Sequence, residues 1–177
     1  MTDQLAQLMQ ARKHKMKEMA DKLRSWSEEK QRYRPASESW NGLQVIEHCI
    51  GSETGTLAYM MKKTSSGWEG IPLATDENRA SGTKLNEALI SDKQWKAPQV
   101  LKSPTGARDL ESQLSYWKKF DAKFDEFIHS LDHKFYERQV FNHPFSGRLS
   151  LYQTVEFMGN HLAHHMHQLR RIEEAMD

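Results

Sequence analysis

Apolar residues recur along most of this chain at alternating steps of three and four, the spacing of helices packed lengthwise against one another. The clearest run is 150–177, where Leu151, Val155, Met158, Leu162, His165, Leu169, Ile172 and Met176 form one stripe behind a Ser150/Gln153 capping box. A first helix is predicted over 2–34, on Leu5, Met9, Met16, Met19, Leu23, Trp26 and Tyr33, ended by Pro35. A second runs from a cap at Ser37 or Ser39 to about Lys63, with Leu43, Ile46, Ile50, Leu57 and Met61 setting its apolar direction. A third starts at Ser103-Pro104 and reaches about Leu131, with Leu110, Leu114, Trp117, Phe124, Ile128 and Leu131 on its stripe and Phe120 and Phe127 at its edge.

Between the second and third helices, residues 64–105 are irregular apart from a short helix near 84–90, with Trp68 and Trp95 expected to pin the segment to the helices. A connection of that length lets its two flanking helices run parallel. His143-Pro144 and Ser146-Gly147 mark turns before the last helix. The pattern predicts an all-α four-helix bundle with one long crossover, residues 1–177 making one domain.

One position on the last stripe is imidazole. At 3.6 residues per turn His161 lies about 40° round the axis from His165, so both face inward, whereas His164 lies about 100° away at the border and His167 about 160° away towards solvent. A histidine in an apolar stripe is ordinarily a hydrogen-bonded core residue. Two side by side leave four ring nitrogens to satisfy, and a divalent metal would take one from each ring. Both readings stand on this helix alone. In the second helix His48 points about 140° from Leu43, which reads as peripheral, although Gly51, Ser52 and Gly55 on its side would admit a ligand or another backbone. Cys49 beside it reads as a small buried hydrophobe before a soft ligand. Asp121 falls on the third stripe, as an acceptor for a ligand ring or as a locally hydrogen-bonded carboxylate. His129 and His133, also four apart, point away from their stripe and read as exposed.

Composition narrows the partners. With 25 basic and 24 acidic side chains the net charge is +1, which gives no footprint for nucleic acid. The basic run RKHKMK at 12–17 is followed by Glu18 and Asp21 and reads as a solvated helix face. No apolar run approaches a membrane span, the polar opening MTDQLAQLMQARKHK lacks signal-peptide character, and a lone cysteine fits a reducing cytoplasm. No GxGxxG, P-loop, GxSxG or CxxC motif is present.

The tryptophan and histidine of SWNGLQVIEHCIGSE, the turn HPFSGRLS and the final HLAHHMHQL together resemble the DinB/YfiT-like superfamily, across essentially the whole chain in helix order and length. The resemblance implies up-down-down-up topology and a metal held by one histidine of the second helix and an HxxxH pair of the fourth, here His48, His161 and His165. It also implies a small-molecule substrate and a homodimer through a bundle face, which nothing in the residues themselves requires. Relatives include bacillithiol- or mycothiol-dependent S-transferases and metal-dependent hydrolases, so the expected chemistry is transfer of a low-molecular-weight thiol to an electrophile. Hydrolysis and a non-catalytic metal-binding or interaction module are the alternatives. Three imidazoles leave a divalent ion with open positions, as catalytic rather than structural sites require. Zinc or nickel suits such ligands, with iron or manganese possible. Glu47, Asp121, His164 and Gln168 are the candidates for supporting or substrate contacts.

Overall fold

The computed structural model describes residues 1–91 and 103–176, and the predicted role of Trp95 lies outside them. The chain is predominantly helical. Among the described residues are α1 (Asp3–Arg24), α2 (Glu28–Arg32), α3 (Gly42–Thr64), α4 (Asp76–Ile90), α5 (Leu110–Ser130) and α6 (Leu151–Glu174). A 3-10 turn at His133–Phe135 and a small antiparallel hairpin, β1 (Phe141–His143) and β2 (Gly147–Leu149), complete the list.

Several boundaries differ from the expectation, each for a capping reason. The first helix stops at Arg24, because Ser25 caps it and Ser27 accepts from the Lys30 amide to start α2. That bend seats Trp26, only 5% exposed, in the core, where its indole N–H donates to Glu173 at 3.0 Å. Tyr33, expected on the stripe, lies beyond the bend and is exposed, its hydroxyl donating to the Ala175 carbonyl at 2.8 Å. The second long helix is capped not by a serine but by Asn41, in a capping box with Gln44. The third is capped by Asp109 rather than by Ser103, since Asp109 accepts from the Ser112 amide. The helix expected near 84–90 spans fifteen residues from its own capping box, Thr75 with Asn78.

α6 packs along α1 on one side and against α4 on another, with α3 also against it and α5 behind α3. Its stripe is buried as the spacing predicts: Leu151, Val155, Met158, Leu162, Leu169 and Ile172 are at most 3% exposed. The connection after α3 is held by Trp68, which packs on the core under the cations of Lys134 and Arg138, 4.6 and 4.7 Å from its ring centre. α4 comes close to α6 at Gly82, where a Cβ would stand 2.2 Å from Gln153 Nε2 and 3.1 Å from Leu149 Cδ2. Gln153 uses that contact to donate to the Arg79 carbonyl at 2.9 Å, so the α6 capping box also docks α4.

The basic run of α1 is not wholly solvated. Arg12 is completely buried, three residues after Met9 and four before Met16, on the seam itself. Its guanidinium forks onto Glu53 of α3 at 2.7 and 2.9 Å and reaches Asp121 of α5 at 2.6 Å, while lying over the Phe120 and Phe124 rings. Trp117 donates to the same Glu53 carboxylate at 2.6 Å. The buried charge is thus paired, hydrogen-bonded and stacked on its aromatic face, the conditions under which a guanidinium is tolerated in a core.

Candidate metal centre

His161 and His165 stand one turn apart on α6, and His48 enters from the first half of α3. The three Nε2 atoms converge. His161 Nε2 is 3.3 Å from His48 Nε2 and 3.2 Å from His165 Nε2. Ligating atoms of all three lie within 4.8 Å of one another, the one such cluster of three or more metal-binding side chains among the described residues. His48 corrects its periodicity reading: it is 7% exposed, because α3 is covered on more than one face and this one looks toward α6.

Hydrogen bonding within the trio cannot satisfy it. A neutral imidazole Nε2 offers one proton or one lone pair, and His161 Nε2 has two such neighbours. An ion at ordinary Zn–N distances of about 2.0–2.1 Å would hold its nitrogen ligands about 2.9–3.4 Å apart, which spans both measured separations. The residues therefore fit a divalent ion. Their protonation suits it as well. Burial, with the neighbouring rings adding to it, lowers His48 to about 4, His165 to about 3 and His161 well below its ordinary value, so each ring is neutral near pH 7. Gln168 Oε1 accepts from His165 Nδ1–H at 2.8 Å, which leaves the lone pair on Nε2, facing the other two rings.

The trio lines one cleft of about 1030 Å³ between α3, α4, α6 and the hairpin. Trp40 packs over two of the rings, 4.9 Å from His48 and 6.5 Å from His165 between centroids. Phe157 stands 5.6 Å from His161 on the other side. Tyr59, Phe141 and Leu85 add apolar wall, and Lys84, Arg171 and Glu38 bring charge to it.

The other anticipated residues divide. Gln168 supports His165 directly. His164, expected at the border, is 7% exposed and lines the cleft with its ring 5.2 Å from that of His165, yet stays outside the trio. Glu47 and Asp121 are not brought to the site. Glu47 instead accepts from the Thr105 and Gly106 amides at 3.0 and 2.6 Å, tying the segment before α5 to α3, and Asp121 is held by Arg12. Cys49 is buried, and burial pushes its thiol well up, so it is a core residue. His129 and His133 are exposed as expected, and His167 is half-buried rather than solvated. The sequence reading missed His143, read only as part of a turn. It is 9% exposed, lines the cleft, and is kept neutral by burial, which lowers it to about 4.

Comparison with known proteins agrees with this architecture. The uncharacterized protein YuaE of Bacillus subtilis (strain 168) is 26% identical over 160 residues, covering 89% of this chain and 91% of that protein. No solved structure matches the chain. No helix among the described residues is long and apolar enough to cross a membrane. A family model described as the DinB superfamily matches residues 9–169, nearly the whole of the helical framework that carries the three histidines, and the chain belongs to that superfamily.

Proposed function

We propose that this protein is a metal-dependent enzyme whose His48, His161 and His165 hold one divalent ion, zinc or nickel before iron or manganese, and which transfers a low-molecular-weight thiol to an electrophilic small molecule. The observation that carries this is the convergence of three neutral imidazole nitrogens on the wall of an open cleft, all within 4.8 Å of one another and two of the pairs at 3.2 and 3.3 Å. The fold that goes with it is a four-helix bundle of up-down-down-up course, α1, α3, α5 and α6 being its long members.

A divalent ion with three imidazole ligands and open positions supplies Lewis acidity and favours the deprotonated form of a thiol or water presented to it. The protein's own groups do the rest. Gln168 holds His165 in one tautomer and ring orientation. Trp40 and Phe157 flank the trio with apolar surface, which excludes water and strengthens electrostatic interactions inside. The cleft walls accept an apolar electrophile. Among the described residues Glu38 is the one carboxylate lining the cleft. A hydrolase ordinarily pairs its metal with a carboxylate base, so this scarcity favours a thiol, whose conjugate base forms readily near neutral pH, over water as the nucleophile. Hydrolysis is the second reading, and a homodimer in a reducing cytoplasm is part of the first.

Elemental analysis of tag-free protein purified without added metal tests the proposal. Wild type is expected to carry close to one metal per chain, and His161→Ala and His165→Ala to carry almost none at unchanged helical circular dichroism. Turnover of thiols with electrophiles then separates transfer from hydrolysis. Wild-type protein with no metal, even after reconstitution, would overturn the metal site.

A further inference from the structure

His143 closes β1, and its Nδ1 lies 3.3 Å from the Phe145 amide and 3.2 Å from the Ser146 amide. Backbone amides only donate, so Nδ1 presents its lone pair, and the neutral ring carries its proton on Nε2. The turn enforces this tautomer, because the backbone from His143 to Ser146 aims both amides at the ring. The result is a donor of fixed direction. Nε2 makes no hydrogen bond to any described residue, while the ring, more than nine-tenths buried, lines the cleft. Phe141, Phe145 and Phe157 surround it, at 6.4, 6.0 and 4.7 Å between centroids. Set among these rings on the cleft wall, the N–H has no acceptor among the described residues and is left for an occupant of the cleft to use.

Phe157 connects this donor to the histidine trio. Its ring is 4.7 Å from His143 on one side and 5.6 Å from His161 on the other, so a short apolar spacer lying on Phe157 reaches both. Among the described residues the cleft walls carry the cation of Lys84, and Glu38 is the one carboxylate there.

We propose that His143 determines substrate specificity by donating its Nε2–H to a carboxylate oxygen of the small molecule that occupies the cleft. The ligand class is then a short ω-functional acid: a soft donor such as a thiol at one end, a carboxylate at the other, and an apolar spacer between. This rests on the metal reading for the thiol end, but the carboxylate end stands on His143 alone.

Two probes of equal span separate the ends, 3-mercaptopropionate and 1-butanethiol. In long-range 1H–15N spectra of uniformly labelled protein, His143 is expected as the Nε2–H tautomer, and its signals are expected to shift saturably with 3-mercaptopropionate. His143→Asn is the informative variant, because its Oδ1 takes over the acceptor position of Nδ1 and keeps the turn while the Nε2 donor is lost. It is expected to weaken 3-mercaptopropionate by about 10- to 100-fold and 1-butanethiol by less than about threefold. A proton found on Nδ1 of the wild-type ring overturns the proposal whether or not the variant folds. So does a His143→Asn protein that binds both probes as before or loses both equally. Metal content of the same samples reports on the other reading. One metal per chain with no selective loss of the acid sinks the His143 proposal alone, and selective loss of the acid in protein that binds no metal sinks the metal centre alone.

Discussion

At the scale of single residues, the site depends on which nitrogen of each ring carries the proton. Gln168 performs that selection for His165 from one turn further along α6, so removing it frees the ring to change tautomer and orientation. Gln168→Leu is expected to weaken metal binding by about 10- to 100-fold, with helicity and melting temperature little changed, as measured by competition with a chromophoric chelator. The sequence made His161 and His165 legible because a helical stripe states its own direction. His48 was not legible in that way: α3 is buried toward both α5 and α6, so Leu43 marked one covered face and concealed the other. His143 left a signal of another kind. A histidine directly before a Pro-Phe-Ser-Gly turn stands where backbone amides need an acceptor, but an acceptor role is visible only once the turn is closed.

At the scale of elements, α1, α3 and α5 are joined by charge as well as by apolar packing. Arg12, Glu53 and Asp121 come from three helices, and periodicity cannot show such a cluster, since each partner is apolar-faced only in the company of the others. Arg12→Met leaves the Glu53 carboxylate buried without its cation and is expected to cost about 3–5 kcal/mol, read from urea denaturation. Adding Glu53→Leu to it should recover a large part of that loss, because the pair then goes together. The helix boundaries followed local chemistry that the sequence did contain. Asn41 with Gln44 and Thr75 with Asn78 are capping boxes; Ser37 and Ser39 lie close before the first and drew the expected cap away from it, while the second begins well ahead of the apolar spacing that predicted its helix.

At the scale of the whole molecule, folding lowers several histidines at once, and that sets a pH dependence. His48 and His143 lie at about 4 and His165 at about 3 in the folded chain, against 6.5 in the unfolded one. Between these values the unfolded chain binds more protons, so stability rises with pH across the window. The metal-free protein is therefore expected to keep its full stability above about pH 6.5 and to lose it progressively as pH falls through about 4, seen as a falling urea midpoint. A bound divalent ion should deepen the dependence, since protons then compete with it for the same nitrogens.

His48 and His161 are separated by 113 residues along the chain, and their partner His165 lies later still. During synthesis the first of these rings leaves the ribosome long before the other two exist, and the last helix supplies both at once. If the trio holds an ion as proposed, its capture waits until α6 has docked, and a chain interrupted before that point presents one isolated imidazole, no better a metal trap than any surface histidine. On the proposed metal reading, acquisition of the ion would report that α6 has been made and has docked.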